Sequence, residues 1–268
     1  MVAGEDKKDP VKVLVTGASG QLGMTLQKYY GAETGMQWSF FNSKELDICD
    51  PEALAAVFED LQPDYCINCA AYTNVEKAES EPERAFKVNA EAVKSLAEQC
   101  KKHEAILIHI STDYVFDGTK GAPYTPDDRP NPLNVYGKSK LAGEQFIQEI
   151  LEHYYIVRTS WLYSKEFGHN FYRTIKAKAE KGESLKVVDD QVGCPTNTVN
   201  LSRHIVGLIN NTVSFGVKHF CDGEAMSWYD FAQRIIMELR SESTLQPMSS
   251  TGLKQLAVRP PNSVMLTE

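Results

Sequence analysis

The chain has 268 residues, 42% apolar and 24% charged, with 28 basic against 36 acidic side chains for a formal charge of −8. That balance suits one α/β domain with a modest extra lobe and excludes a collagen-like, coiled-coil or wholly disordered chain. The negative charge argues against nucleic-acid binding, and no run approaches the roughly eighteen apolar residues of a membrane span.

In chain order, the first ten residues (MVAGEDKKDP) are polar, lack the apolar stretch of a secretory signal and read as a tail on a cytoplasmic protein. Val11 to Thr16 is a buried strand, followed by a glycine-rich turn and a helix from Gln21 to Tyr30. Gln37 to Phe41 is a second strand. Asp50 caps a helix whose first residue is Pro51, and Leu54, Val57, Phe58 and Leu61 share one face of it. Tyr65 to Ala70 is a third strand, Pro82 to His103 a long charged helix, and Ala105 to Ile110 a fourth, almost wholly apolar strand. A loop rich in Pro, Asp and Gly spans 117–135. A helix from Tyr136 to about Glu152 and a strand from Tyr155 to Thr159 follow. Beyond residue 161, helical pieces at 170–181, 198–210 and 228–240 alternate with short strands near 185–189 and 217–221.

Continuous apolar strands alternating with helices imply a Rossmann-type doubly wound parallel sheet, covered by helices on both faces. The expected division is a tail at 1–10, a dinucleotide-binding domain at 11–160, and a small, mainly substrate-binding lobe at 161–268. A strand and helix near 185–220 would return to the first domain. Six cysteines stand at 49, 66, 69, 100, 194 and 221. Cys66 and Cys69 form a C-x-x-C, yet they sit in a strand-like run where residues three apart face opposite ways. With no second pair or nearby histidines, they read as reduced core thiols, and no metal site is expected.

In such sheets ligands bind beyond the carboxyl ends of the strands. After the first strand comes Gly17-Ala-Ser-Gly20-Gln-Leu-Gly23, the strand–turn–helix setting of a dinucleotide pyrophosphate site. After the second, Asn42-Ser43-Lys44 offers hydroxyl and basic groups where an acid would grip an NAD ribose, so NADPH is favoured over NADH, with NADH left open. Tyr136 and Lys140 share one face at a helix start, and the lysine charge is expected to lower the phenol pKa. Tyr172 and Lys176 repeat the spacing. Only Tyr136 has a hydroxyl partner at a strand tip, Thr112.

That tip reads Ser111-Thr112-Asp113-Tyr114-Val-Phe-Asp-Gly118. Together with the glycine turn and Y-x-x-x-K it resembles an extended short-chain dehydrogenase/reductase. The ordered blocks AAYT with VEKAESEP, STDYVFDG, LNVYGKSKLAGE, RTSWLY and DQVGCPT resemble the dTDP-4-dehydrorhamnose reductase family. The likeness runs from about residue 11 to RPPNSV, with family members usually continuing into another helix beyond it.

The resemblance implies reduction of a nucleotide-bound 4-keto sugar by NAD(P)H, with Thr112, Tyr136 and Lys140 catalytic. It implies that Gly17, Gly20, Gln21, Leu22 and Gly23 surround the pyrophosphate, that Asp47 and Ile48 lie by the adenine, and that Ala71, Tyr72 and Thr73 flank the nicotinamide. It assigns Thr112, Asp113 and Trp161 to the dTDP-sugar, with Asn170, Gln191 and Arg259 as further candidates. Two alternatives stay open: a nucleotide-sugar epimerase or dehydratase on the same scaffold, and a non-catalytic NADP-binding subunit resembling the β subunit of methionine adenosyltransferase. Against a dehydratase, Tyr114 stands where those enzymes carry a glutamate. The oligomeric state is open, a homodimer included.

Overall fold

The computed structural model describes residues 9–32, 35–211 and 213–267, so the expected tail lies outside the described residues up to residue 8. The first half alternates β1 (Val11–Thr16), α1 (Gln21–Tyr30), β2 (Met36–Phe41), α2 (Pro51–Leu61) and β3 (Tyr65–Asn68). Then come α3 (Val75–Ser80), α4 (Pro82–Phe86), α5 (Ala92–Lys102), β4 (Ile106–Thr112), α6 (Val135–Ile150) and β5 (Tyr154–Thr159). The second half holds β6 (Leu162–Tyr163), α7 (Phe171–Ala179), β7 (Leu185–Val188), β8 (Val192–Gly193), β9 (Thr196–Asn197) and α8 (Thr198–Asn210). It ends with β10 (Gly216–His219), β11 (Met226–Ser227), α9 (Trp228–Glu238) and β12 (Leu245–Met248).

Six strands form one sheet in the order β10-β5-β4-β3-β1-β2, every pairing parallel. Alternation along each strand divides the core in two. Leu14, Leu107 and Ile156 point into a layer with Phe58, Val93, Leu96 and Ile147. Their neighbours Val13, Val15, Ile108 and Val157 point into the opposite layer with Leu22, Leu26, Leu201 and Ile205. This is the period-two burial of a strand covered on both faces. Cys66 belongs to the first layer and Cys69 packs on the second, and all six cysteines are free. No helix among the described residues is long and apolar enough to cross a membrane.

The differences from the expected elements have local causes. Asn74 caps a short helix by accepting from the Lys77 amide, so the helical region begins at Val75 rather than Pro82. The long helix is broken by a π-helical turn at Lys87–Glu91 that buries Asn89. The fourth strand runs on to Thr112, where it pairs with Thr159. In the second half, α7, β7, α9 and β12 build a separate core of Tyr172, Ile175, Leu185, Phe231 and Ile235. The last segment straps back across the sheet end. Val264 O accepts from Tyr124 N (2.8 Å), Leu266 N donates to Tyr124 O (2.8 Å), and Val192 of β8 donates to Pro261 O (2.9 Å) and accepts from Ser263 N (2.9 Å).

One ion pair is buried within the sheet's helical cover. The Arg158 guanidinium of β5 meets the Glu144 carboxylate of α6 at 2.7 Å, with the two side chains 3% and 1% exposed. Ser111 of β4 donates to the same carboxylate. Removing one partner strands the other charge out of water. Arg158→Met should therefore destabilise the fold by about 3–5 kcal/mol, measured by urea denaturation. Pairing it with Glu144→Gln should recover part of that loss.

Candidate active site

The carboxyl ends of β1, β3 and β4 open into a cleft of about 1090 Å³. Its first wall is the glycine turn. Gly17 has φ +68°, and a Cβ there would fall 2.6 Å from Ala70 N, so the turn presses against the end of β3 as only glycine allows. Helix α1 starts at Gly20 with no side-chain cap. Its first amides, at the positive end of the helix dipole, therefore remain as donors beside the cleft, the chemistry a pyrophosphate requires. Gly17, Gly20, Gln21, Leu22 and Gly23 all line it. The Gln21 side chain is occupied elsewhere, donating to Leu162 O (3.0 Å) and accepting from Asn170 (3.0 Å).

Ser43, Asp47 and Ile48 line the same cleft, as do Ala71, Tyr72 and Thr73. Tyr72 is clamped by Asn89 of the π turn, which accepts from its amide (2.8 Å) and donates to its carbonyl (3.0 Å). Lys44 is exposed and does not reach the wall. The nearest acid, Glu45, folds back to accept from Asn42 N at 2.9 Å. The residues therefore fit a dinucleotide coenzyme, with a hydroxyl rather than a carboxylate at the end of β2.

The catalytic candidates meet where β4 ends against the start of α6. Asn134 caps α6 by accepting from the Gly137 amide at 2.8 Å. A Cβ at Gly137 would lie 2.2 Å from Tyr114 O, so the helix start could not approach the strand tip with any other residue there. That approach sets the Tyr136 phenol beside Thr112 in the cleft. Burial pushes the phenol up to about 12, with the Thr112 hydroxyl acting in the opposite direction. The expected lowering by Lys140 is absent, because the lysine nitrogen is turned inward to His109 Nε2 (2.9 Å) and Ile110 O (2.7 Å). Burial brings the Lys140 ammonium down to about 8. The second Y-x-x-x-K pair lies in the lobe. Tyr172 is buried there, bonded to Glu238 at 3.1 Å, and Lys176 pairs with Glu180.

On the far side of Thr112, Asp113 is 2% exposed. Its carboxyl accepts from Ser263 of the strap at 2.5 Å and from Thr112 at 3.1 Å. Burial raises it to about 7. Trp161 lines the cleft from a left-handed backbone (φ +46°). Its indole is stacked on Trp228, ring centroids 3.4 Å apart, and Phe171 packs on Trp228 at 4.6 Å.

The remaining candidates divide. Asn170 reaches the cleft wall, but its side chain caps α7 and ties Ser164 O (2.9 Å) to Gln21. Gln191 is buried and does not line the cleft, nor does Arg259, which pairs with Glu76 at 3.2 Å. Trp228, Phe171, Arg84 and Lys87 line the cleft without having been singled out from the sequence. The Ser227–Asp230 capping box would have located the start of α9, and hence Trp228. Arg84 and Lys87, three apart on a helical run, carried no signal that separated them from ordinary surface charge.

The family model "RmlD substrate binding domain" matches residues 11–268. The dTDP-4-dehydrorhamnose reductase of Aggregatibacter actinomycetemcomitans is 36% identical over 265 residues, covering 95% of this chain and 90% of that protein. The crystal structure of the Bacillus anthracis dTDP-4-dehydrorhamnose reductase in complex with NADP superposes with a TM-score of 0.93 at 37% identity, covering 97% of this chain and 91% of that one. A UDP-glucose 4-epimerase from Thermus thermophilus in complex with NAD shares the fold, with a TM-score of 0.77 at 18% identity over 93% of this chain and 91% of that one.

The buried Asp113 has a pH consequence whose sign is fixed. Its folded pKa of about 7 lies above the ordinary carboxyl value of 3.8, so the unfolded chain releases this proton first as pH rises. Its contribution is most favourable below that ordinary value and is lost by the folded one. Compared with Asp113→Asn, the parent should lose stability across this window by up to about 1.4 kcal/mol per pH unit. Denaturant titrations of both proteins at a series of pH values measure the difference.

Proposed function

The chain belongs to the RmlD substrate-binding-domain family, and on that premise we infer that it reduces the C4 ketone of dTDP-4-dehydro-L-rhamnose to dTDP-L-rhamnose, with NADPH as coenzyme. It is an oxidoreductase of nucleotide-sugar biosynthesis. The reading assigns the reaction to the cytoplasm. The observation that carries it is the meeting of Thr112, Tyr136 and Lys140 beside an uncapped, glycine-lined helix start in one cleft.

The coenzyme, when bound, supplies the hydride. The chain's own groups do the rest. The first amides of α1 hold the pyrophosphate, which orients the bound pair and removes much of the entropic barrier to their meeting. Ser43 stands at the end of β2, where a 2′-phosphate is read, and Asp47 and Ile48 border the adenine. Ala71, Tyr72 and Thr73 would flank the nicotinamide side, and Lys140 would serve its ribose once its nitrogen turns from His109. Tyr136 donates the phenolic proton to the oxygen developing at C4, while the Thr112 hydroxyl hydrogen-bonds the same oxygen. A phenol held at about 12 stays protonated until a strongly basic alkoxide forms beside it. Asp113 and the Trp161–Trp228 stack hold the sugar nucleotide; at neutral pH the partly protonated Asp113 both accepts and donates toward sugar hydroxyls.

Tyr136→Phe removes the proton donor without opening the pocket. It should lower kcat for ketone reduction by roughly 10²–10⁴-fold while leaving NADPH binding intact. The check is NADPH oxidation with the keto-sugar generated in situ, beside a fluorescence titration of coenzyme. Unchanged turnover in the variant would sink the assignment. Repeating the assay with NADH and a Ser43→Asp variant should move preference away from NADPH, because a carboxylate repels the 2′-phosphate.

A further inference from the structure

Beneath the cleft floor, Thr16, Asn68, His109 and Lys140 form a hydrogen-bonded chain in which every member is at most 1% exposed. Its direction can be read from one end. The Ala70 backbone N–H can only donate, and it points at Asn68 Oδ1 at 3.1 Å; the Thr16 hydroxyl donates to the same oxygen at 2.7 Å. The other end of that amide, Asn68 Nδ2, stands 3.0 Å from His109 Nδ1. An amide nitrogen donates, so Nδ1 must accept, and a neutral imidazole with a free Nδ1 carries its hydrogen on Nε2.

That Nε2 lies 2.9 Å from Lys140 Nζ. An ammonium has no lone pair to offer it, whereas an amine has one. The amine's own hydrogens then go to Ile110 O, at 2.7 Å, and toward the cleft. A doubly protonated His109 is excluded by the same amide, and burial together with Lys140 holds the imidazole well below its ordinary range.

We propose that His109 is a positioning residue whose Nε2–H holds Lys140 as a neutral amine in the coenzyme-free enzyme, so that coenzyme binding draws a proton from solvent onto Lys140. The inference deepens the reductase reading, on which its catalytic meaning rests. The step balances simply: the amine plus one solvent proton gives the ammonium, whose nitrogen no longer accepts from the Nε2–H and whose hydrogens go to Ile110 O and the coenzyme's hydroxyls. The pyrophosphate's charge favours the same change.

The other groups facing Lys140 leave room for it. Glu144, one turn along α6, favours the ammonium but is engaged by Arg158 and Ser111. The Cys69 thiol and the Tyr136 phenol are each pushed up to about 12 by burial and stay neutral. Burial, even with Glu144 acting against it, brings the Lys140 ammonium to about 8, and a hydrogen aimed at its lone pair acts in the same direction as burial.

Two measurements test this without the keto-sugar, so their failure is distinct from failure of the reductase reading. Long-range proton–nitrogen correlation on coenzyme-free protein labelled at histidine, with His109 assigned through His109→Gln, should show the Nε2–H tautomer throughout the neutral range; an Nδ1–H tautomer overturns the proposal. Calorimetry of NADPH binding near pH 8, in buffers of different ionisation enthalpy, should show net proton uptake by the parent. In His109→Gln, whose amide can turn its oxygen to Lys140, uptake should fall toward zero. No uptake in the parent, or full uptake in the variant, overturns it as well. If the variant does not fold, the parent's histidine signals are assigned by elimination with the other histidines replaced singly, and its tautomer and proton uptake decide the matter.

Discussion

The site depends on how tightly α6 is drawn against the end of β4. Two contacts do this, one at each end of the helix's inner face. At its start, Gly137 lets the backbone approach the Tyr114 carbonyl closer than any side chain would permit. Two turns on, Glu144 is locked to Arg158 of β5 and Ser111 of β4. Tyr136 stands just before the first contact and Lys140 between the two, and the reach of the one toward Thr112 and of the other to His109 follows from that spacing. A buried ion pair is weak evidence for stability in itself. Here its geometric effect matters more, because it fixes the register of helix against sheet at the positions where the chemistry is placed.

A second theme is the loss of charge. Burial moves Tyr136 and Asp113 up and Lys140 down, each toward its uncharged form. An uncharged set is inexpensive to bury and has little to repel or attract before a ligand arrives. Charge is then introduced by the bound coenzyme and by the oxygen that develops at C4. The same burial explains why the sequence-level expectation of a lysine-depressed phenol does not hold in this structure: the lysine's nitrogen is committed to the sheet side, away from the phenol.

Much of this was legible from residue order. The strand–helix alternation, the glycine turn at 17–23, the Asp50–Pro51 cap and the Thr112–Tyr136–Lys140 grouping all depend on local pattern, and local pattern is what a sequence displays. What stayed hidden depends on distant pairing. The π turn that buries Asn89 is invisible to a 3.6-residue count, and the Asn68–His109–Lys140 chain joins three elements through side chains with no shared motif. Trp228 acquires its place only by stacking on Trp161, 67 positions earlier in the chain. Gln191 and Arg259 show the converse. Expected at the sugar nucleotide from short polar blocks, neither lines the cleft: one is buried and the other pairs with Glu76.

The strap carries one more implication, for the order in which the molecule is made. Asp113 is satisfied by Ser263, Asn134 at the head of α6 donates to Val258 O, and Tyr124 is bridged to residues 264 and 266. The glycine turn and the sheet that positions it, apart from β10, are complete by residue 159. In chain order, the glycine-turn end of the cleft is therefore laid down well before its sugar end is closed. Until Trp161, Trp228 and Ser263 are added, the glycine turn and the β4 tip lack the side chains that face them across the cleft, and bound coenzyme would give the second half a surface on which to fold.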